Sequence, residues 1–404
     1  MLYQNAHLLQ IRPASQQWVA GTDMRVLPEL KDAWLLTQNG RIKAFGPMSE
    51  CPQGHHEETL DCTDRILMPA WCDSHSHLVY AGNRESEWMD RLNGLTYEQV
   101  AARGGGIVNS AQLLNETPEE EIYQQSKLRL QEVISLGTGA LEIKSGYGLT
   151  LEGELKMLRV IRRLKEEAPI PIRATFLAAH ALPTRYKDDK AAYLQLVIDE
   201  MLPRVAGDGL ADYIDVFCEK GYFDIQDTEL LMEAGARYGL PAKIHVNQFN
   251  AFGGVAAAVR HGALSVDHLE ELDPVDVRAL AGSKTMPVAL PGCSFFLGIP
   301  YTPGRTLIDA GLPLALATDF NPGSAPSGNM NLVVALACNK MKLTPEEAIN
   351  AATLNGAYAM GLSSETGSIT VGKRTNLILT KRNVSVSSFG YRFGSPLIQQ
   401  VIEQ

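Results

Sequence analysis

From about residue 65 onward, short and continuously apolar runs alternate with longer segments whose apolar positions recur at helical spacing. Apolar runs bounded by turn signals read as strands buried on both faces, and the segments between them as amphipathic helices. The runs lie at 66–72, 138–144, 172–179, 213–218, 242–246, 263–267, 286–290 and 313–318. Helical stretches fall at 151–166, 190–205, 226–238, 253–260 and 330–341. Thr117-Pro118-Glu119-Glu120 and Thr344-Pro345-Glu346-Glu347 each carry a helix start: threonine as N-cap, proline in the first turn and a reciprocal glutamate. The second predicts a last helix to about residue 360. Eight alternations of this kind predict an α/β fold, a parallel (β/α)8 TIM barrel over residues 65–364.

The two ends have a different pattern. Residues 1–64 show no helix-length periodicity, and Gln38-Asn39-Gly40 separates two apolar stretches at 33–37 and 41–45. Asn-Gly favours a tight hairpin because both residues tolerate positive φ. Short strands are also expected at 367–369, 376–380 and 397–402. The simplest arrangement is a small β-sandwich domain formed by residues 1–64 plus 365–404, with the barrel inserted between its halves. No repeat of fixed period and no low-complexity segment interrupts this plan.

Composition narrows the function. The 404 residues are 45% hydrophobic, enough for one large domain and a smaller one. A formal net charge of -10 argues against nucleic acid or an anionic membrane as the main partner. No apolar run is long enough to span a bilayer, and the start lacks a basic segment followed by an apolar one, so a cytoplasmic protein is expected. The six cysteines are scattered without a C-x-x-C, as reduced thiols would be.

The candidate chemistry gathers where strands end, which is where such barrels place their active sites. The first strand runs into His75 and His77. Side chains two apart on an extended chain point the same way, so both imidazoles can face one cation. His180 follows the third strand, His245 and then Gln248 the fifth, His268 the sixth and Asp319 the eighth; Lys144 and Glu219 close the second and fourth. Histidines serving only the core would sit mid-strand.

His75, His77, His245 and Asp319 thus form a candidate mononuclear site of three neutral nitrogens and one carboxylate. That set suits Zn²⁺ or iron and leaves a position for water. A cation there lowers the pKa of water toward neutrality, and Asp319 is placed to take the proton and pass it to a leaving nitrogen. The plain structural use of Asp319 is as an N-cap. His268 either orients water or polarises a carbonyl, or steadies a metal ligand from behind. Lys144 either becomes carbamylated and bridges two ions, or pairs with Glu142 or another barrel carboxylate; four other ligands suffice, which favours one metal ion.

Arg84 offers a fork for a substrate carboxylate, against the commoner fate of a salt bridge with Glu85 or Glu87. Tyr147, between Gly146 and Gly148, reads as a ring against a ligand or as a core aromatic. Gly104-Gly105-Gly106 is followed by no Lys-Ser/Thr, which favours a mobile flap over a phosphate loop. Tyr97 is a candidate for the same pocket.

H-x-H after the first strand, histidines after the fifth and sixth and an aspartate after the eighth resemble the amidohydrolase superfamily of metal-dependent hydrolases. Within it, Gly82-Asn83-Arg84, Gly104-Gly105-Gly106-Ile107, Glu142-Ile143-Lys144-Ser145-Gly146-Tyr147-Gly148-Leu149 and Ala179-His180-Ala181-Leu182-Pro183 resemble the imidazolonepropionases. So do His245-Val246-Asn247-Gln248-Phe249, Asp267-His268-Leu269-Glu270 and Ala317-Thr318-Asp319-Phe320-Asn321-Pro322-Gly323-Ser324. This resemblance covers residues 65–361 and is looser at the β termini.

The resemblance implies hydrolysis of the ring carbon–nitrogen bond of 4-imidazolone-5-propanoate to N-formimidoyl-L-glutamate, a step in histidine degradation. It implies one divalent ion, Zn²⁺ or iron (Fe²⁺/Fe³⁺), on His75, His77, His245 and Asp319, with Asp319, His268 and Gln248 as catalytic groups. Substrate contacts are implied at Arg84, Tyr147, His180, Gln248, Asn321, Gly323 and Ser324. Arg84 and Tyr147 would hold the propanoate, His180 and Gln248 the ring, and Gly323 and its neighbours would offer backbone donors to the carboxylate. The expected partner is that small molecule, with no nucleic acid and no membrane, and the expected assembly is a homodimer. Two departures stand out: Val246-Asn247, where relatives more often carry alanine and an acidic residue, and Asn376, where an aspartate is usual. The rival readings are another cyclic amidase or a nucleobase deaminase on the same scaffold, and a non-catalytic relative acting as a binding protein.

Overall fold

A computed structural model describes residues 1–53, 58–95, 99 and 106–403. Its strands in chain order are β1 (Leu2–Leu9), β2 (Glu29–Gln38), β3 (Arg41–Pro47), β4 (Thr59–Asp61), β5 (Ile66–Pro69), β6 (Trp71–Asp73), β7 (Thr138–Lys144) and β8 (Ile172–Ala179). They continue with β9 (Tyr213–Cys218), β10 (Ala242–Val246), β11 (Ser265–His268), β12 (Met286–Ala289), β13 (Ala315–Leu316), β14 (Leu377–Thr380) and β15 (Ile398–Ile402).

The strands form two sheets. Strands β6 to β13 make an eight-stranded sheet in sequential order, each joined to the next in parallel. A parallel bridge between Ser76 and Phe320 joins its first and last strands, with the Asp319 N–H donating to the His75 carbonyl and the His77 N–H to the Phe320 carbonyl. These bonds close the barrel at its C-terminal rim and tie the residues around His75 and His77 to those around Asp319. With the intervening helices this is the (β/α)8 barrel that the alternation predicts.

The second sheet has the order β15-β14-β5-β1-β2-β3, with β4 also on β1, so both chain termini contribute to it. Its core is apolar: Tyr3, Leu8, Leu35, Ile42, Leu67 and Leu379 are buried together. The expected hairpin is present, with Thr37 opposite Ile42 and Gln38 opposite Arg41 around Asn39-Gly40, both at positive φ.

Several local expectations change. The apolar run 66–72 is two strands. Ile66–Pro69 pairs with β1 and β14, and only Trp71–Asp73 enters the barrel. The hand-over falls at Pro69-Ala70, where the Ala70 N–H donates to Asn376 and the Trp71 N–H to Gly137. An unbroken apolar run gives no sign of a change of sheet, because both sheets bury it. The stretch 367–369 is no strand and makes one bridge, Ile11 to Ile369. At 190–205 the helix loosens into a π-helical turn, Val197–Met201.

The two Thr-Pro-Glu-Glu starts also part company. Thr344 makes the full reciprocal box with Glu347. Thr117 does not cap its helix: it ends the unpredicted helix Ile107–Glu116, and its hydroxyl donates back to the Leu113 carbonyl. A hydroxyl already committed to the preceding helix is not free to cap the next.

Candidate active site

Strand alternation decides what each barrel strand offers. In β7, Leu141 and Ile143 turn outward into the main hydrophobic core, while Glu142 and Lys144 turn into the barrel and pair at 2.7 Å. The same two-residue period sends Asp215 of β9, Lys243 and His245 of β10 and Asp267 of β11 inward. Lys144 lies 2.8 Å from Asp215 and 3.6 Å from Asp267, and Lys243 lies 3.1 Å from Glu142. The lysine is therefore an ion-pair partner in this structure, as in the single-metal reading. Burial by itself would lower its pKa; the three carboxylates raise it on balance.

Above this network the imidazoles converge. His75 Nε2 and His77 Nε2 each lie 3.5 Å from Asp319 Oδ1, and His77 Nε2 lies 3.3 Å from His245 Nε2. Donor atoms of His75, His77 and Asp319 fall within 4.8 Å of one another, as do those of His75, His245 and His268. The orientations are set from behind. His75 Nδ1–H donates to Asp267 at 2.7 Å, and His245 Nδ1–H to Asp215 at 2.8 Å. Each carboxylate fixes the tautomer that aims the Nε2 lone pair inward. His75 Nε2 is buried without a hydrogen-bond partner. An orphaned lone pair beside two further imidazoles and a carboxylate is the donor set that a divalent ion of the Zn²⁺ or Fe²⁺ class fits.

The electrostatics agree. Burial holds His75, His77 and His245 well below the ordinary imidazole range, so they are neutral donors. Burial also brings His180 down to about 4. It pushes the Asp319 carboxyl up to about 6, and a cation among these ligands acts in the opposite direction. His268 goes the other way: burial alone would lower it, but Glu270, 3.2 Å from Nδ1, raises it on balance. Both His268 and Asp319 have left-handed backbones, with φ of 89° and 56°. Non-glycine residues rarely adopt that region, and here it turns each side chain off its strand end toward the mouth.

The mouth opens into a cavity of about 550 Å³ lined by His77, His180, His245, His268 and Asp319. Arg84, Tyr147, Gln248, Asn321, Gly323 and Ser324 line the same space. Arg84 reconciles its two readings: Nε donates to Glu87 Oε2 at 2.8 Å, and the guanidinium still borders the cavity. Gly323 allows it to, since a Cβ there would lie 2.1 Å from Arg84 Nη1. His180 stacks on His77 at 5.0 Å and donates from Nδ1 to the Gly146 carbonyl, which turns Nε2 to the cavity as an acceptor. Tyr147 is both buried and cavity-lining.

One expected role changes. The N–H groups of Gly323 and Ser324 donate to Asn321 Oδ1 at 2.8 and 2.7 Å, so they shape the loop rather than stand open to a substrate carboxylate. Tyr97, Gly104 and Gly105 lie outside the described residues.

Four positioning groups escaped the sequence reading. Asp215 and Asp267 sit mid-strand, where a polar residue inside an apolar run was the available signal. Asp73 accepts from Thr318 N–H and Oγ1–H and fastens β6 to the end of β13. Glu154, on the buried face of helix Leu151–Glu167, accepts from the N–H groups of Gly146, Gly148 and Leu149 and holds the Tyr147 loop. Glu219, already placed by the sequence at the end of the fourth barrel strand, accepts from the Phe249 and Asn250 N–H groups and so shapes the loop after β10.

Residues 66–392 match the model of the amidohydrolase family. The chain belongs to that family. It is 62% identical over 395 residues to an imidazolonepropionase from Flavobacterium johnsoniae, covering 98% of this chain and 96% of the relative. It is 60% identical to that of Christiangramia forsetii over 98% and 96%, and 43% identical to that of Geobacillus kaustophilus over 85% and 82%. Within the amidohydrolases the chain thus belongs with the imidazolonepropionases. Among solved structures it resembles a 5-methylcytosine deaminase from Klebsiella pneumoniae (TM-score 0.75, 15% identity, 100% and 96% covered). It also resembles an adenosine deaminase from Xanthomonas campestris with bound zinc (TM-score 0.73, 17% identity, 100% and 91% covered). At such identities the likeness is one of fold. Among the described residues no helix is long and apolar enough to cross a membrane.

Proposed function

We propose that the protein hydrolyses 4-imidazolone-5-propanoate to N-formimidoyl-L-glutamate, using one Zn²⁺ or Fe²⁺ ion held by His75, His77, His245 and Asp319. The carrying observation is the 62% identity to an imidazolonepropionase along nearly the whole of both chains. The cavity adds chemistry of the right kind, since both a guanidinium and several imidazoles line it.

When bound, the ion supplies Lewis acidity and lowers the pKa of water. The protein's own groups do the rest. Arg84, held by Glu87, meets the propanoate carboxylate with its remaining N–H donors. His180 Nε2 and the Gln248 amide meet the ring. Asp319 takes a proton from the attacking water as its oxygen adds to the ring carbonyl carbon. His268, whose imidazolium form Glu270 favours, donates to the oxyanion that forms on that carbon. The carbon–nitrogen bond then breaks, the ring nitrogen receives the proton that Asp319 carried, and the new carboxyl group keeps the added oxygen and loses its proton to solvent.

The test is a spectrophotometric assay with freshly prepared imidazolonepropionate, with and without chelator, beside guanine, cytosine and dihydroorotate. Turnover of the imidazolone alone, abolished by chelation and restored by Zn²⁺ or Fe²⁺, is expected. Preference for a nucleobase, or full turnover after metal removal, would overturn the reading.

A further inference from the structure

Behind the ligand set lies a second group of donors. His268, Glu270 and Cys293 each place one ligand atom within 4.8 Å of the others, and all three are buried. Glu270 uses only one oxygen: Oε1 accepts from His268 Nδ1 and Ser294 Oγ, both at 3.2 Å, while Oε2 is buried with no partner. Cys293 is a free cysteine whose Sγ accepts from the Gln248 amide at 3.4 Å. An unpartnered buried carboxylate oxygen beside an imidazole and a thiol is the chemistry of a soft-to-borderline metal site.

We propose that His268, Glu270 and Cys293 bind a second, thiophilic divalent cation, of which Zn²⁺ and Co²⁺ are the type. Mg²⁺ and Ca²⁺ are excluded by the donors, since neither tolerates a thiolate in place of oxygen. Entry is from the substrate cavity, where His268 and Gln248 line the wall and touch Glu270 and Cys293. On binding, the metal–sulfur bond replaces the Cys293 S–H bond and a metal–nitrogen bond replaces an N–H bond of the His268 imidazolium, so two protons leave to solvent. Two consequences follow for turnover, both resting on the roles proposed above. The ion occupies His268, and it takes from Gln248 the sulfur that accepts its amide. Filling this site therefore inhibits, lowering kcat.

The decisive experiment adds Co²⁺ alone to the metal-loaded protein. The catalytic ligands contain no sulfur, so a thiolate-to-cobalt absorption band reports the second site only. We expect two ions per chain and the band in the wild type, and one ion without the band in both Cys293→Ser and Cys293→Ala. Glu270→Gln, which keeps the thiol, should weaken the second ion by about 10–100-fold. Mg²⁺ should neither bind nor compete. One ion per chain in the wild type, or a band that survives in the cysteine variants, overturns the proposal. A second ion with unchanged turnover upholds the site and overturns the roles given to His268 and Gln248.

Discussion

The barrel interior and the terminal sheet are both assembled from buried strands, yet they are filled with opposite chemistry. The terminal sheet packs Tyr3, Leu8, Leu35, Leu67 and Leu379 against one another. The barrel encloses Glu142, Lys144, Asp215, Lys243 and Asp267, all buried. Apolar burial stabilises at about 25 cal/mol per Å² without demanding orientation. Buried ion pairs contribute little net stability, because desolvation offsets most of the attraction, but they fix direction. Here two ammonium groups face three carboxylates, and two of those carboxylates hold the rings of His75 and His245. The comparison teaches a division of labour: the sheet supplies stability, and the barrel interior spends it on aiming nitrogens.

The sharpest test removes an aimed nitrogen. His245→Ala should lose the metal and on the order of 10³-fold in activity, the several kcal/mol such an ion supplies, while the fold persists. Metal analysis beside the assay decides it; retained metal would count against the ligand set. Asp215→Ala should strike both properties together. It takes from Lys144 one of its three carboxylates, leaving Glu142 and Asp267, and frees the His245 ring, so we expect about 1–3 kcal/mol lost in denaturant unfolding and metal affinity lowered about 10–100-fold. A purely structural loss, with metal affinity intact, would separate the network from the site.

Leu35→Ala is the matching change in the terminal sheet. It should cost about 2–5 kcal/mol and leave kcat of the folded fraction and its metal content untouched. Should catalysis fall as well, the division of labour is wrong. Arg84→Ala should raise KM about 10- to 100-fold, the worth of a charged hydrogen bond, with kcat nearly unchanged.

The smallest effect is tied to pH. Glu347 is buried between Arg305 and Arg25. Burial alone would raise its pKa; Arg305, the Thr344 N–H and Arg25 together bring it below the ordinary 4.5. A depressed carboxylate contributes stability that is full above the unfolded value and is lost as pH falls through the folded one. Glu347→Gln should therefore cost about 1–3 kcal/mol at pH 7, and the gap to wild type should close below pH 4.5. A gap independent of pH would assign the effect to packing instead.

Much of this was legible in the chain. Strands β7, β8, β9 and β10 fall where the apolar runs end, because a strand buried on both faces announces itself without a partner. The residues at the strand ends could then be named: His180 after β8, His245 on β10 and, on the last barrel strand, Asp319 after β13. Thr344 could be recognised as a cap because its box closes within four residues. The same motif misled at Thr117, where the outcome depended on a helix that the pattern did not show.

The two-residue period and the strand-end positions follow from the backbone itself, so local order was enough to assign the barrel and to nominate its histidines. Which carboxylate stands behind which histidine was settled elsewhere. Asp267 reaches His75 across a separation of 192 residues, and Asp215 reaches Lys144 across 71. Contacts of that kind depend on how far the barrel twists and where it closes. The passage of the chain from one sheet to the other at Pro69-Ala70 is of the same sort: hydrophobicity says that a residue is buried, and only the assembled neighbours say against what.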